Sequence, residues 1–176
     1  PGDLEVITTS DRAVSAEGAT ATWPQRIGLP YDELYCSQDK IARCREIGIV
    51  LLVDDSPVNI SRAVDAGMIV MAAAGNYVQI VTAPASYDNC LAVAATGPGD
   101  TLWVDSSRGT AVDVSMPGSC VYVAAYDDKT PVVRMANGTS YAVAHLAAAA
   151  ALWLAHHGRQ SLINKYGVTS FKIFMF

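Results

Sequence analysis

The sequence is poor in charge and has no basic surface pattern. Only 16% of its 176 residues are charged, acidic residues outnumber basic ones by 17 to 12, and no run of Lys or Arg occurs. The formal net charge of -5 argues against a protein that binds nucleic acid or an anionic membrane, because both partners attract a basic face. Hydrophobic residues make up 51% of the chain, which is typical of a globular domain with a substantial core.

Long apolar runs and metal-type cysteine spacings are also missing. The longest apolar stretch, residues 141–155, is interrupted by His145 and is shorter than the roughly 20 residues that a membrane helix requires. None of the 4 cysteines belongs to a C-x-x-C pair, so they are interpreted as small buried residues or at most one disulfide. We therefore predict neither a membrane span nor a metal site.

Regular patterns begin only after residue 38. Residues 1–38 are rich in Gly, Pro, Ser and Thr without a clean period, and are interpreted as an irregular N-terminal segment. Residues 39–176 are interpreted as an α/β domain, within a chain that forms a single domain overall. Apolar runs and glycine stops predict helices over 40–46, 60–66, 140–155 and 160–165, strands over 49–53, 68–73, 90–95 and 111–115, and a hairpin from 121–125 and 132–135.

This alternation of strands and helices predicts an α/β fold, with a mostly parallel sheet and helices on both faces. In such sheets the functional site lies beyond the carboxyl ends of the strands. Two stretches fall at that edge: Ala74-Gly75-Asn76 follows the second strand, and Gly138-Thr139-Ser140 precedes the long helix.

Two interpretations of Ser140 are open from these residues alone. Serine and threonine are common N-caps, whose side chains accept a hydrogen bond from a free backbone N–H. A serine at a helix N-terminus is also placed to act as a nucleophile, since the free N–H groups there stabilise negative charge. Asn76 is either a turn residue after Gly75 or an amide donor to the same oxyanion.

The motifs around both stretches resemble the subtilisin family. G-T-S-Y-A-V-A-H (138–145) resembles the family's G-T-S-x-A-x-P-H serine motif, with Ala144 in place of the proline, and A-A-A-G-N (72–76) resembles its oxyanion-asparagine strand. Residues 84–96 and 106–118 resemble the strands between them, in the same order. The resemblance covers about 120 residues and implies a fold similar to the later part of subtilisin.

The resemblance also implies roles for individual residues. Ser140 corresponds to the nucleophile, and Asn76 to the side-chain donor of the oxyanion hole. Substrate-binding positions follow from the same match: Ala73, Ala74 and Gly75 on one wall of the first substrate pocket, Asp54 on the facing wall, and Thr139 beside the serine. The implied activity is a serine hydrolase that acts on peptide bonds, and on esters as well, through an acyl-enzyme, with peptide or protein substrates and no cofactor. His145 corresponds to a structural histidine of the serine helix.

The family's aspartate and histidine motifs are missing from this sequence. Its other histidines, His156 and His157, lie about 16 residues beyond Ser140, on the order of 24 Å along a helix, which is too far for a general base. A second hypothesis is therefore an inactive relative that binds peptides by strand addition.

A third hypothesis comes from I-V-L-L-V-D-D-S-P-V-N (49–59), which resembles the first strand of a response-regulator receiver domain. In that interpretation Asp54 and Asp55 bind Mg²⁺ and Asp113 marks the phosphoacceptor loop. Without the family's early strands the sheet has an exposed edge, so we also predict association into a homo-oligomer.

Overall fold

The computed structural model describes residues 7–10, 33–36, 39–49, 51–127 and 130–166. The described residues divide into two compact units. The larger unit takes its residues from 51–122 and 135–166, and the smaller one from 7–49 and 123–134. In chain order the regular elements are β1 (Ile7–Ser10), β2 (Glu33–Cys36), α1 (Lys40–Glu46), β3 (Leu51–Val53), α2 (Pro57–Asp65), β4 (Ile69–Ala73), β5 (Cys90–Thr96), β6 (Val114–Pro117), β7 (Val121–Asp127), β8 (Thr130–Ala136), α3 (Thr139–His157) and α4 (Arg159–Tyr166).

A four-stranded sheet forms the centre of the larger unit. Its strand order is β3-β4-β5-β6, and all three pairings are parallel. The small side chains of β5 allow close packing on both faces, and every residue from Cys90 to Ala95 is buried. The α/β class with a mostly parallel sheet is therefore confirmed.

Helix α3 packs against β4, β5 and β6. Its buried positions share one side of the helix at spacings of one, three and four residues, and they contact Met71, Leu91, Val93 and Ala95 of the sheet. The four buried apolar residues of α3 are Ala142, Val143, Leu146 and Ala150. Because two of them are alanines, the backbone of the helix lies close to the strands.

Capping residues mark the start of α2, and glycines mark the ends of α2 and α3. Ser56 accepts a hydrogen bond from the N–H of Asn59, and Pro57 occupies the first turn, so α2 begins three residues before the predicted start. Gly67 follows α2 with a φ of 75°, and Gly158 follows α3 with a φ of 74°. Both glycines end their helices as predicted.

The strand predicted over 111–115 lies instead over Val114–Pro117. The carboxylate of Asp113 accepts a hydrogen bond from the N–H of Ala92 at 2.9 Å, and the N–H of Val112 donates to the carbonyl of Gly109 at 3.1 Å. Residues 109–112 therefore form a turn, and the strand begins only after Asp113.

In the smaller unit, α1 occupies the predicted residues and has Asp39 as its N-cap. Strands β1 and β2 pair in parallel, with Ile7 opposite Glu33. They lie within residues 1–38, where the sequence pattern predicted no regular element. Strands β7 and β8 form a separate two-stranded sheet at the predicted hairpin.

No helix of the described ranges has the length and apolar character needed to cross a membrane.

Candidate active site

Asn76 lies immediately beyond the carboxyl end of β4. The N–H of Ala74 donates to the carbonyl of Val93 at 2.9 Å, so the strand ladder continues one residue past β4. Gly75 then turns the chain with a φ of 106°. A side chain at Gly75 would lie 2.9 Å from Thr82 Oγ1, so this turn requires glycine for both its conformation and its space.

Hydrogen bonds join Asn76 to the start of α3. Asn76 Oδ1 accepts from the backbone N–H of Thr139 at 3.1 Å and from Thr139 Oγ1 at 2.9 Å. Thr139 Oγ1 in turn accepts from the N–H of Gly75 at 3.2 Å. The two stretches that the sequence placed at one sheet edge, 63 residues apart in the chain, are therefore in direct contact.

These bonds also orient the amide of Asn76. Two donors face one end of the side chain, so that end is the oxygen and the opposite end is Nδ2. Within the described part of the chain, Nδ2 makes no hydrogen bond, and Asn76 is exposed. The donor end of the amide is thus available to a ligand at the start of α3.

Ser140 is the second residue of α3 and is exposed. The N-cap is Gly138, and the helix start has no side-chain capping bond, so neither Thr139 nor Ser140 has the capping role that the sequence left open. The Ser140 hydroxyl has no hydrogen-bond partner among the described residues. Its backbone N–H is one of those that a helix leaves without an acceptor in its own first turn, at the positive end of a 19-residue helix.

The loop after β6 holds the start of α3 in place. The N–H of Gly138 donates to the carbonyl of Gly118 at 2.8 Å. A Cβ atom on Gly118 would lie 2.7 Å from both the Gly138 carbonyl oxygen and Ala95 Cβ, and 3.0 Å from Ala142 Cβ. This contact leaves no room for a larger residue, so Gly118 sets how closely the helix start approaches the sheet.

Residues 73–75, which the resemblance assigned to a wall of the substrate pocket, directly precede Asn76 at the end of β4. Ala73 ends β4, and the carbonyl of Ala74 accepts from the N–H of Thr82 at 3.1 Å. Thr82 was not recognised from the sequence, although its hydroxyl lies against Gly75. No pattern could have identified it, because the contact depends on the return of the 77–82 loop to the end of β4.

The described contacts of the three histidines are to groups other than the Ser140 hydroxyl. His145 Nδ1 lies 2.7 Å from the carbonyl oxygen of Pro117, so this side chain ties α3 to the end of β6, as the structural interpretation implied. His156 and His157 occupy the last turn of α3, where their rings contact one another and Trp153. The start of α3 therefore presents an exposed hydroxyl and free N–H donors, and none of the three histidines of the sequence makes a hydrogen bond to that hydroxyl.

Asp54 lies at the same sheet edge, because its N–H donates to the carbonyl of Met71. Its carboxylate stabilises the start of α2 by accepting from the N–H of Ser56 at 2.8 Å and from Asn59 Nδ2 at 3.3 Å. Asp55 is exposed beside it.

Asp113 precedes β6 and so lies at the opposite edge of the parallel sheet from Asp54 and Asp55, which follow β3. The structure does not bring together the three carboxylates of the receiver hypothesis. The residues that the structure describes contain no group of three or more His, Cys, Asp or Glu side chains able to hold a metal ion.

Comparison with known sequences gives a consistent family match. The family model described as the Subtilase family matches residues 38–165. Thermitase from Thermoactinomyces vulgaris is 41% identical over 96 residues, which are 54% of this chain and 33% of thermitase. Subtilisin DY from Bacillus licheniformis is 36% identical over 103 residues, 56% of this chain and 36% of that protein. The chain thus spans about a third of the length of these curated relatives.

Comparison with solved structures supports the same fold. A cold-adapted subtilisin-like serine proteinase superposes with a TM-score of 0.60 over 79% of this chain and 58% of the other, at 20% sequence identity. At that identity the likeness concerns the fold alone.

Proposed function

Because the chain belongs to the subtilase family, we propose that it supplies the nucleophile and the oxyanion hole of a serine endopeptidase-like hydrolase. Ser140 is the nucleophile, and Asn76 Nδ2 and the backbone N–H of Ser140 are the oxyanion donors. The substrate is a peptide or protein, and Ala73, Ala74, Gly75, Asp54 and Thr139 border its binding site.

The proposed chemistry uses each group at one step. Ser140 Oγ attacks the carbonyl carbon of the scissile bond, and the carbonyl oxygen becomes an oxyanion. That oxyanion accepts hydrogen bonds from Asn76 Nδ2 and the Ser140 N–H, which are already oriented and so need no reorganisation. Collapse of the tetrahedral intermediate breaks the peptide bond and releases the amine, which takes a proton from solvent. The acyl group left on Ser140 is then released by water as a carboxylic acid.

The observation that carries this proposal is the bonding of Asn76 Oδ1 to Thr139. A turn asparagine would not need its oxygen fixed against a helix that begins 63 residues later. This arrangement turns the donor end of the amide away from Thr139, the residue that precedes Ser140 in the chain.

Removal of the Ser140 proton is the step for which the sequence provides no histidine base. None of its three histidines lies at the Ser140 hydroxyl, so the proton passes to solvent when this chain acts alone. In serine proteases that lose a triad member, the oxyanion hole and binding still leave roughly 10³–10⁴-fold acceleration over water. We expect slow acylation of this order.

A fluorophosphonate probe tests the proposal directly. Attack by Ser140 forms an Oγ–P bond and expels fluoride, and the hydroxyl proton goes to solvent. We expect labelling at Ser140, located by peptide mass spectrometry, and none at that site in Ser140→Ala. The matched control is Ser61→Ala, which removes an exposed hydroxyl from α2 and should label normally. Labelling that is absent, or that survives Ser140→Ala, contradicts the assignment.

The absence of a histidine at Ser140 supports one alternative, a peptide-binding protein without catalysis. In that case wild type and Ser140→Ala are equally inert toward the probe, yet both bind an extended peptide in calorimetry. Turnover of a peptide ester by wild type but not by Ser140→Ala excludes this alternative.

We also propose that the chain self-associates through the edge of its sheet. Among the described strands β3 pairs only with β4, and Val53 on this edge is exposed. Light scattering tests this proposal, since a monodisperse monomer contradicts it and a dimer or larger assembly supports it.

A further inference from the structure

Two buried residues, Thr139 and Ser107, bond to the turn that carries Asn76. The turn itself is exposed, with Tyr77 70% accessible to solvent, so little apolar packing fixes it. Ser107, by contrast, is fully buried at 0%. It lies on the loop between β5 and β6, close enough to bond to the backbone of the turn.

Ser107 bonds to the turn on both sides of Asn76. Its backbone N–H donates to the carbonyl oxygen of Gly75 at 2.9 Å, and its Oγ accepts from the N–H of Tyr77 at 3.2 Å. The peptide groups before and after Asn76 are therefore attached to one residue. Thr139 holds the side-chain oxygen of Asn76 and also the N–H of Gly75, but among the described hydrogen bonds it does not reach Tyr77, which Ser107 holds.

We propose that Ser107 is a positioning residue for the oxyanion hole, which acts by fixing the backbone that aims Asn76 Nδ2. This inference rests on the proposed function. Removal of the Ser107 hydroxyl leaves the Tyr77 N–H without its acceptor. The peptide group that follows Asn76 is then no longer held in place. Oxyanion stabilisation depends on donors held at about 2.7–3.1 Å from the developing charge, and a shift of about 1 Å can cost on the order of 10²-fold in rate.

The neighbouring Ser106 provides a matched control. It is equally buried at 0%, but its Oγ accepts from the N–H of Ala95 at 2.9 Å and donates to the carbonyl of Ser107 at 3.2 Å. Its hydroxyl therefore supports β5 and its own loop, and does not contact the turn of Asn76. A purely structural role predicts similar consequences for the loss of either hydroxyl.

The kinetic test is the saturation kinetics of fluorophosphonate labelling. We expect Ser107→Ala to lower the limiting labelling rate roughly tenfold while the half-saturating probe concentration changes less than about twofold. Ser106→Ala should change both less than about twofold. Ser107→Cys, with a weaker acceptor at nearly the same size, should give an intermediate rate and replaces Ser107→Ala if that variant does not fold. Equal effects of the Ser106 and Ser107 variants overturn the inference.

A second measurement does not depend on labelling. The side-chain NH₂ signals of Asn76 in ¹⁵N NMR spectra can be assigned by their loss in Asn76→Asp. We expect these signals to shift or broaden in Ser107→Ala and to keep their wild-type positions in Ser106→Ala. If wild type does not label but this NMR pattern holds, the proposed chemistry fails while the positioning role stands. Unchanged Asn76 signals in Ser107→Ala contradict the positioning role itself.

Discussion

The two ends of α3 have similar composition but very different surroundings. At its N-terminal end, Thr139 is 1% exposed and bonds to Gly75 and Asn76, and Gly138 bonds to the loop after β6. At its C-terminal end, Leu152 is 67% exposed, and the ring of His157 contacts the rings of Trp153 and His156. Both ends belong to one continuous helix, but among the described contacts only the N-terminal end bonds to the loops at the carboxyl edge of the sheet.

This difference supports the proposal that α3 carries chemistry at its N-terminal end only. A helix N-terminus alone offers free N–H groups, but a specific oxyanion hole also requires a donor from another element. In the proposed site Asn76 supplies that donor, because the loops after β4 and β6 both bond to the start of the helix. Four variants, ordered from the largest expected effect to the smallest, test the contrast.

The largest effect is expected at the donor itself. Asn76→Leu removes Nδ2 and should slow fluorophosphonate labelling of Ser140 by a factor of about 10²–10³, the loss measured for the corresponding donor in subtilisin. Asn164→Leu, on the exposed side of α4 beyond the other end of α3, should label as wild type does. A labelling rate in Asn76→Leu within about twofold of wild type would remove Asn76 from the site.

The second effect is on stability at the helix start. Gly118→Ala places a methyl group 2.7 Å from backbone and side-chain atoms, so we expect a loss of about 1–3 kcal/mol in the free energy of unfolding. The control is Gly97→Ala, whose added Cβ would meet its nearest atoms at 3.6 Å. Urea denaturation of both variants measures the difference, and equal midpoints would show that the contact at Gly118 relaxes without cost.

Thr139→Val tests the bridge between the two segments. It keeps the size of a side chain that is 1% exposed but removes the hydroxyl that bonds to Gly75 and Asn76. We expect a loss of about 1–2 kcal/mol in unfolding free energy, because the part-buried N–H of Gly75 loses its acceptor. Thr101→Val, at an exposed threonine, should change less than about 0.5 kcal/mol. Equal losses in the two variants would mean that the bridge contributes nothing to stability.

The smallest effect is expected at the far end of α3. Leu152→Gln exchanges an exposed apolar side chain for a polar one of similar length, so unfolding free energy should change less than about 0.5 kcal/mol. Labelling of Ser140 should also be unchanged. A loss above 2 kcal/mol by thermal or urea denaturation would show that this end of the helix is packed against a surface after all.

Much of the sheet and its helices could be predicted from local pattern. Helix α1 and the glycine ends of α2 and α3 follow from periodicity and stop signals, and β4 and β5 follow from continuous apolar runs. Strands β1 and β2 gave no such pattern, because each has only four residues and its partner lies 26 positions away in the chain. Such short strands are defined by pairing rather than by composition.

The residues of the candidate site also differ in whether local sequence pattern could predict them. Ser140 and Asn76 belong to contiguous motifs, so the resemblance to the family was enough to predict both residues. The residues that hold them, Thr139 with its bridging bonds and Ser107 behind the turn, act across separations of 63 and 30 residues. Side-chain to backbone bonds of this kind arise from the tertiary fold, and no local pattern encodes them.

The most direct test of the central claim is a crystal structure of the chain after reaction with a fluorophosphonate. The claim is that Asn76 and Ser140 face one reacting centre. We expect phosphorus bonded to Ser140 Oγ, with the phosphoryl oxygen about 2.7–3.1 Å from both Asn76 Nδ2 and the Ser140 N–H. An adduct at another residue, or a phosphoryl oxygen directed to solvent with Asn76 Nδ2 out of reach, would contradict it.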